Sequence, residues 1–217
     1  MLKMIAGAVT QVAEGVGTIV GIRSGTEEPA FTVEREIDGV QIRRYGPRIA
    51  AETAIGADEE SARNQGFRVL ARYIFGANSS SAKIAMTAPV AQQPGEKIAM
   101  TAPVATRREP SGEWVIQFFM PSTYTLETLP TPDDDRIRLV SVPAETVAVL
   151  QFNGSIAPDA VAARTGRLLK VLNRNDIEPN GDPVAWFYDP PWTLPFRRRN
   201  EVVVGIEAPP VISSVDS

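Results

Sequence analysis

Apolar and polar positions alternate along much of this chain, with two long interruptions at helical spacing. From Phe31 the pattern runs through Phe, Val, Arg and Ile, turns at Asp38-Gly39, and resumes at Val40, Ile42 and Arg44. An Asp-Gly pair between two alternating runs predicts a hairpin with a type I′ turn. A strand over residues 48–56 follows. Asp58 then opens a helix in which Phe67, Leu70, Ala71, Ile74 and Phe75 share a face, while Glu59, Glu60, Arg68 and Arg72 fall largely off it. Gly76-Ala77-Asn78 ends that helix. Another strand is expected over residues 113–120.

The second half repeats the order. Strands over residues 137–142 and 145–152 lead to Ala157-Pro158-Asp159, a helix start with proline in the first turn. Val161, Thr165, Leu168, Leu169 and Leu172 form its inner stripe. Asn180-Gly181 is expected to turn the chain into a strand at 184–188, and residues 201–206 make a last strand rich in valine. Two successive units of strands, helix and strands predict an α+β domain whose helices pack on one sheet system.

Between the halves stands an exact repeat. KIAMTAPVA occurs at residues 83–91 and again at 97–105, separated by QQPGE. Alternation within each copy and the Pro-Gly spacer predict two strands of a hairpin. Proline cannot donate to a ladder, so irregularities are expected at Pro89 and Pro103. Met86 and Met100 occupy the same place in each copy. An odd loop between the strands puts both sulfurs on one face, and an even loop puts them on opposite faces. They then form either a soft, polarizable wall of an apolar pocket or a pair of core methionines.

At the N-terminus, Leu2, Ile5, Val9, Val12, Val16 and Ile19 draw one apolar stripe down a helix. Gly7, Gly15 and Gly17 weaken it by about 1 kcal/mol each relative to alanine, so it needs a surface to lean on. Gln11 and Glu14 interrupt the apolar run expected of a secretory signal or a membrane span. An amphipathic helix on the domain, on a neighbour or on a membrane surface remains. Residues 24–29 read as a polar linker. The expected organisation is an extension and linker over residues 1–30, a domain over 31–207 and a tail over 208–217.

Composition narrows the chemistry more than it narrows the fold. The 217 residues are 43% apolar, enough for a real core. The formal net charge is −4, with both signs interspersed, so no field would gather nucleic acid. There is no cysteine and no histidine. Disulfides, thiolate catalysis, Ser-His-Asp mechanisms and zinc held by sulfur or imidazole are excluded.

The repeated KIAMTAPV, the segment WVIQFFMPSTYTLETLP at residues 114–130 and the segment WFYDPPWTLPFRRRNEVVV at 186–204 resemble the SOUL heme-binding protein family. The resemblance runs from about Phe31 to about Glu207. It implies a twisted or barrel-like antiparallel sheet with two flanking helices, its strand-helix-strand units related by a pseudo-two-fold axis. It also implies noncovalent binding of heme or another porphyrin, for transport, buffering or sensing, against the first helix and the methionine hairpin. The missing histidine departs from relatives for which an axial histidine has been proposed. It agrees with those that hold heme through apolar contacts, and no resident metal site is expected.

Candidate contacts to a tetrapyrrole are Arg63, Phe67, Leu70, Ala71, Met86, Met100, Trp186, Tyr188 and Trp192. Arg63, or one of Arg197, Arg198 and Arg199, is suited to a propionate, because guanidinium matches carboxylate geometry; the other reading is a solvated arginine. The aromatic residues either stack on a flat ligand or fill the core. Tyr45, Tyr73, Tyr124 and Tyr188 are the remaining side chains able to ligate ferric iron through phenolate. Glu201, before Val202-Val203-Val204, is either an edge carboxylate or a raised-pKa group at the floor of a cleft. The latter supports an alternative, a GyrI-like small-molecule-binding domain or a small hydrolase using Glu201 with Trp186 or Trp192. The expected location is cytoplasmic, with periplasmic or membrane-peripheral attachment through residues 1–22 as the alternative.

Overall fold

Asp38 and Gly39 both take positive φ, 49° and 80°, as a type I′ turn requires. They join β2 (Thr26–Ile37) to β3 (Val40–Tyr45), and β1 (Ile19–Arg23) lies along the outer edge of β2. The computed structural model describes residues 19–23, 26–79, 95–189 and 193–207. The predicted N-terminal helix, the first repeat copy with Met86, Trp192 and the C-terminal tail therefore lie outside the described residues, apart from Ile19, which begins β1.

After β3 come β4 (Arg48–Ile55), α1 (Glu59–Ile74), the short β5 (Asn78–Ser79), β6 (Val104–Arg108) and β7 (Trp114–Phe119). The second half contains the short β8 (Thr131–Pro132), β9 (Arg138–Val142), β10 (Glu145–Phe152), α2 (Pro158–Arg174), β11 (Pro179–Phe187) and β12 (Asn200–Ile206). Asp58 caps α1 by accepting a hydrogen bond from the Ser61 N–H at 3.0 Å. The predicted proline start of α2 is present, with Ala157 as its N-cap. Among the described residues no helix is long and apolar enough to cross a membrane.

Ten strands form one sheet in the order β1-β2-β3-β10-β12-β11-β6-β7-β4-β9, and β5 pairs with β8. β3 and β4 are third and ninth in that order, yet only Gly46-Pro47 joins them. Six strand spacings would separate them by roughly 29 Å in a flat sheet, and two linking residues span only about 11 Å. β9 and β10, tenth and fourth, are likewise joined by only Pro143-Ala144. The sheet must curl, and it does so as a half-barrel.

The same order displays the pseudo-two-fold relation. One unit is β3-β4-α1-β6-β7 and the other β9-β10-α2-β11-β12. Exchanging the two and reversing the strand order from β3 to β9 returns the same order. The axis passes between β11 and β6, and each unit's first strand pairs with the other unit's second.

Strand alternation sorts side chains into two layers. On the outside, Ala62, Val69, Leu70, Tyr73 and Ile74 of α1 pack on Ala51, Ile116 and Phe118, while Leu168, Val171 and Leu172 of α2 pack on Ala148, Val202 and Val204. On the inside, where neither α1 nor α2 lies, Tyr45, Phe119, Val149, Trp186 and Val203 are still buried. Tyr45 and Trp186 ring centroids are 5.5 Å apart, and Phe119 and Trp186 are 5.6 Å apart. Curling brings these rings together, so the half-barrel is filled by its own side chains.

Three local expectations are corrected. Residues 26–29 belong to β2 and not to a linker, because β1 and Thr101 give that stretch backbone partners. Asn180-Gly181 lies within β11 at a register shift, with Gly181 at φ 91°, so it is a bulge and not an entry turn. The second repeat copy becomes a strand only at Val104. Before it, Ile98 donates its N–H to the Ile74 carbonyl at 2.9 Å, tying this copy to the end of α1. β6 then pairs with β11 and β7.

Candidate functional site

α1 buries one face and leaves a flank open. Arg63, Phe67 and Ala71, four residues apart, are half-buried along that flank, and Phe75 beyond its end is 61% exposed. Phe67 meets Phe118 edge-on at 5.3 Å, which fixes its ring without enclosing it. Arg63 stands near the start of the helix, 5.1 Å over the Phe187 ring, with Nη1 3.5 Å from the Ile156 carbonyl and 3.9 Å from Glu59. Burial pulls its pKa below the usual arginine value, against the opposing carboxylates of Glu59 and Glu60. Leu70 corrects the sequence reading: it is fully buried against the sheet and offers no surface to a ligand.

Trp186 and Tyr188 lie on the other side of the sheet. Trp186 fills the half-barrel, 3% exposed, and is not available for stacking. The Tyr188 hydroxyl donates to Glu201 Oε2 at 2.7 Å. Among the described residues the structure thus divides Arg63, Phe67 and Ala71 on the α1 flank from Trp186 and Tyr188 in the barrel interior, and Met86 and Trp192 lie outside the described residues. Met100 is exposed at 40%.

Glu201 is fully buried and saturated. Arg43 Nη1 lies 3.0 Å from both carboxylate oxygens, and Arg199 approaches Oε1 with Nε at 3.1 Å and Nη2 at 2.8 Å. Arg43 gives its other two nitrogens to Gln41 Oε1, and Arg199 Nη1 pairs with Glu28. Burial is the largest influence and works to lower the pKa of both arginines, but the Glu201 charge acting together with Tyr45 and Tyr188 around Arg43, and with Tyr188 and Glu28 around Arg199, holds them above the usual value. With two guanidiniums and a phenol already on its oxygens, the carboxylate has no vacancy for a cationic ligand or a substrate group. This removes the physical basis for the alternative role of Glu201.

Phenolate ligation fares no better. Burial raises Tyr45 to about 12 although Arg43 opposes it, and burial followed by the Glu201 charge raises Tyr188 well above the ordinary value. Burial also raises Tyr73, whose hydroxyl donates to the Pro130 carbonyl, and the Glu96 hydrogen bond raises Tyr124. A phenolate ligand needs the opposite shift. Because the folded state binds the Tyr45 proton more tightly, stability is full below about pH 10 and falls as pH rises towards 12. The expected loss is on the order of 2–3 kcal/mol from Tyr45 by linkage. Urea unfolding between pH 9 and 12 checks this, and Tyr45→Phe should flatten that part of the profile.

Of the arginine run, Arg197 is exposed, Arg198 Nε donates to the Thr193 carbonyl, and Arg199 belongs to the buried network. Among the described residues no acidic group, histidine or cysteine cluster could hold a metal.

Sequence reasoning missed Arg43 and Arg48. Arg43 alternates among strand residues, and nothing local marks it as inward. Arg48 follows the Gly46-Pro47 turn and forms part of a cleft of about 910 Å³ at the mouth of the half-barrel. Pro29, Ile49, Phe119, Met120, Pro121 and Leu126 contribute to its walls. Its volume lies within the range of small-molecule sites.

Over 184 residues the chain is 27% identical to heme-binding protein 1 of Xenopus laevis, covering 83% of this chain and 86% of that protein. Among solved structures, the EcmrR C-terminal domain matches with a TM-score of 0.55 at 11% identity, covering 78% of this chain and 98% of that one. The EcmrR chain in an EcmrR–DNA complex matches at 0.54 and 12%, covering 78% of this chain and 57% of that one. At such identities the structural likeness extends to the fold alone. The family model for SOUL heme-binding protein matches residues 26–205, and with the half-barrel and its paired helices in place, the chain belongs to the SOUL heme-binding protein family.

Proposed function

We propose that the protein binds heme or a related tetrapyrrole noncovalently and reversibly on the open flank of α1. The observation that carries this reading is the half-exposed apolar line of Phe67 and Ala71, continued by Phe75, on a helix of a heme-binding family member. Phe67 and Ala71 supply the apolar bed, Arg63 stands at one end where a propionate can replace its weak contact to Glu59, and Met100 supplies a polarizable thioether. The filled barrel interior supports an exterior site. With no histidine or cysteine in the chain, binding energy comes from the macrocycle. Burying about 400 Å² of porphyrin contributes roughly 10 kcal/mol gross at about 25 cal/mol/Å². Association costs about 4–15 kcal/mol, so the expected affinity is modest.

Heme titration followed at the Soret band tests this. Phe67→Asp is expected to weaken binding at least tenfold and Arg63→Ala severalfold, and zinc protoporphyrin should compete with heme on nearly equal terms. Unchanged affinity in Phe67→Asp would remove the site from α1. Failure of zinc protoporphyrin to compete would mean that an iron bond, and not apolar burial, dominates.

A further inference from the structure

We propose that the cleft at the mouth of the half-barrel is a second binding site, selective for uncharged, largely apolar molecules that carry a carbonyl or similar acceptor oxygen recognised by Arg48. Arg48 is 8% exposed, and only its Nη2 has a partner, the carboxylate of Glu145. Nε and Nη1 are buried and have no acceptor among the described residues. The guanidinium carbon lies 4.4 Å over the Tyr45 ring, 4.9 Å over Phe119 and 5.9 Å over Trp186. These rings stabilise the charge through their faces but supply no oxygen or nitrogen acceptor. Buried N–H groups left unpaired are costly, and their presence beside a cleft distinguishes Arg48 from Arg43, whose three nitrogens are all engaged.

Shape and charge select the ligand class. Phe119, Met120, Pro121 and Leu126 favour an apolar body, and Leu126 is 41% exposed at the wall. A carboxylate would suit an isolated arginine, but this one is already neutralised by Glu145, and Glu27, Glu28 and Glu127 also line the cleft. An added anion would meet like charges at short range. A neutral acceptor satisfies the free donors without that repulsion. Neither Arg63, Phe67 nor Ala71 lines this cleft, so it is separate from the proposed tetrapyrrole surface.

The test uses 6-propionyl-2-dimethylaminonaphthalene, a neutral fluorescent ketone whose emission reports burial, with its carbonyl-free propyl analogue and its 6-carboxylate analogue as controls. The 217-residue chain should bind the ketone saturably, at least tenfold more tightly than either control. Arg48→Met should erase the preference for the ketone over the propyl analogue. Leu126→Asp, on the exposed cleft wall, should weaken ketone binding at least tenfold with the circular dichroism unchanged. Saturating zinc protoporphyrin should leave ketone binding intact. No saturable binding, equal affinity for ketone and propyl analogue, tighter binding of the carboxylate, insensitivity to Leu126→Asp, or displacement by the porphyrin would each overturn the proposal. If Arg48→Met fails to fold, the comparison of the three probes on the native chain still decides it.

Discussion

Replacing Glu201 with alanine is expected to remove about 3–5 kcal/mol of stability, the effect of breaking a buried ion pair by deleting one partner. Arg43 and Arg199 would then face each other across the barrel interior with no charge between them, and Tyr188 would lose its acceptor. For a chain of this length such a loss lowers the melting temperature by roughly 6–20 °C. Glu201→Gln keeps the shape and some acceptor capacity and should fall between the variant and the native protein. Tyr188→Phe removes one hydrogen bond and should cost only about 1–2 kcal/mol. Denaturant unfolding of the three variants checks the order. A Glu201→Ala loss below about 1 kcal/mol would mean that water compensates the arginines and that the interior is not dry.

The second large effect is expected at Gly66. A Cβ built there would lie 2.7–2.9 Å from Cγ1, Cβ and Cδ1 of Ile116 on β7, closer than side chains can approach. Glycine in a helix normally costs about 1 kcal/mol relative to alanine, so propensity alone predicts that substitution helps. Here overpacking wins: Gly66→Val should destabilise by about 3 kcal/mol, because the helix must lift off the sheet or Ile116 must leave its rotamer. Lifting α1 also moves Phe67 away from Phe118, so heme affinity should fall together with stability. Gly66→Val combined with Ile116→Ala should recover part of both, and no recovery would show that the contact is not what fixes the helix.

Much of the frame was readable in the chain. Asp38-Gly39 fixed a turn by its backbone demands, Asp58 announced α1 by its capping chemistry, and Pro158 marked the start of α2. These signals are local, and local physics reads them. The second copy of the exact repeat stays irregular up to Val104 because its backbone partners there are Ile74 and Glu27, far away along the chain, which no local pattern displays. Tyr188 and Trp186 read as ligand contacts because both are aromatic beside a turn. Their role is to fill a closed interior that exists only once the sheet curls. Arg43, Arg48 and Arg199 are ordinary strand or loop arginines until that curling turns them inward. Buried charge is a property of the assembled sheet, and no window of residues displays it.

The exchange of first strands has a dynamic consequence. β3 belongs to one unit and pairs with β10, while β9 belongs to the other and pairs with β4, so each half is laced into the other through a two-residue link. Opening the seam between β11 and β6 would leave both of these pairings intact, since β3 and β10 lie on one side of it and β4 and β9 on the other. The chain crosses between the two groups of strands through Gly46-Pro47 and Pro143-Ala144, links too short to let the groups slide apart. A ligand at the mouth is therefore met by two groups of strands that keep their own pairings, with relative motion limited to a pivot at those two links.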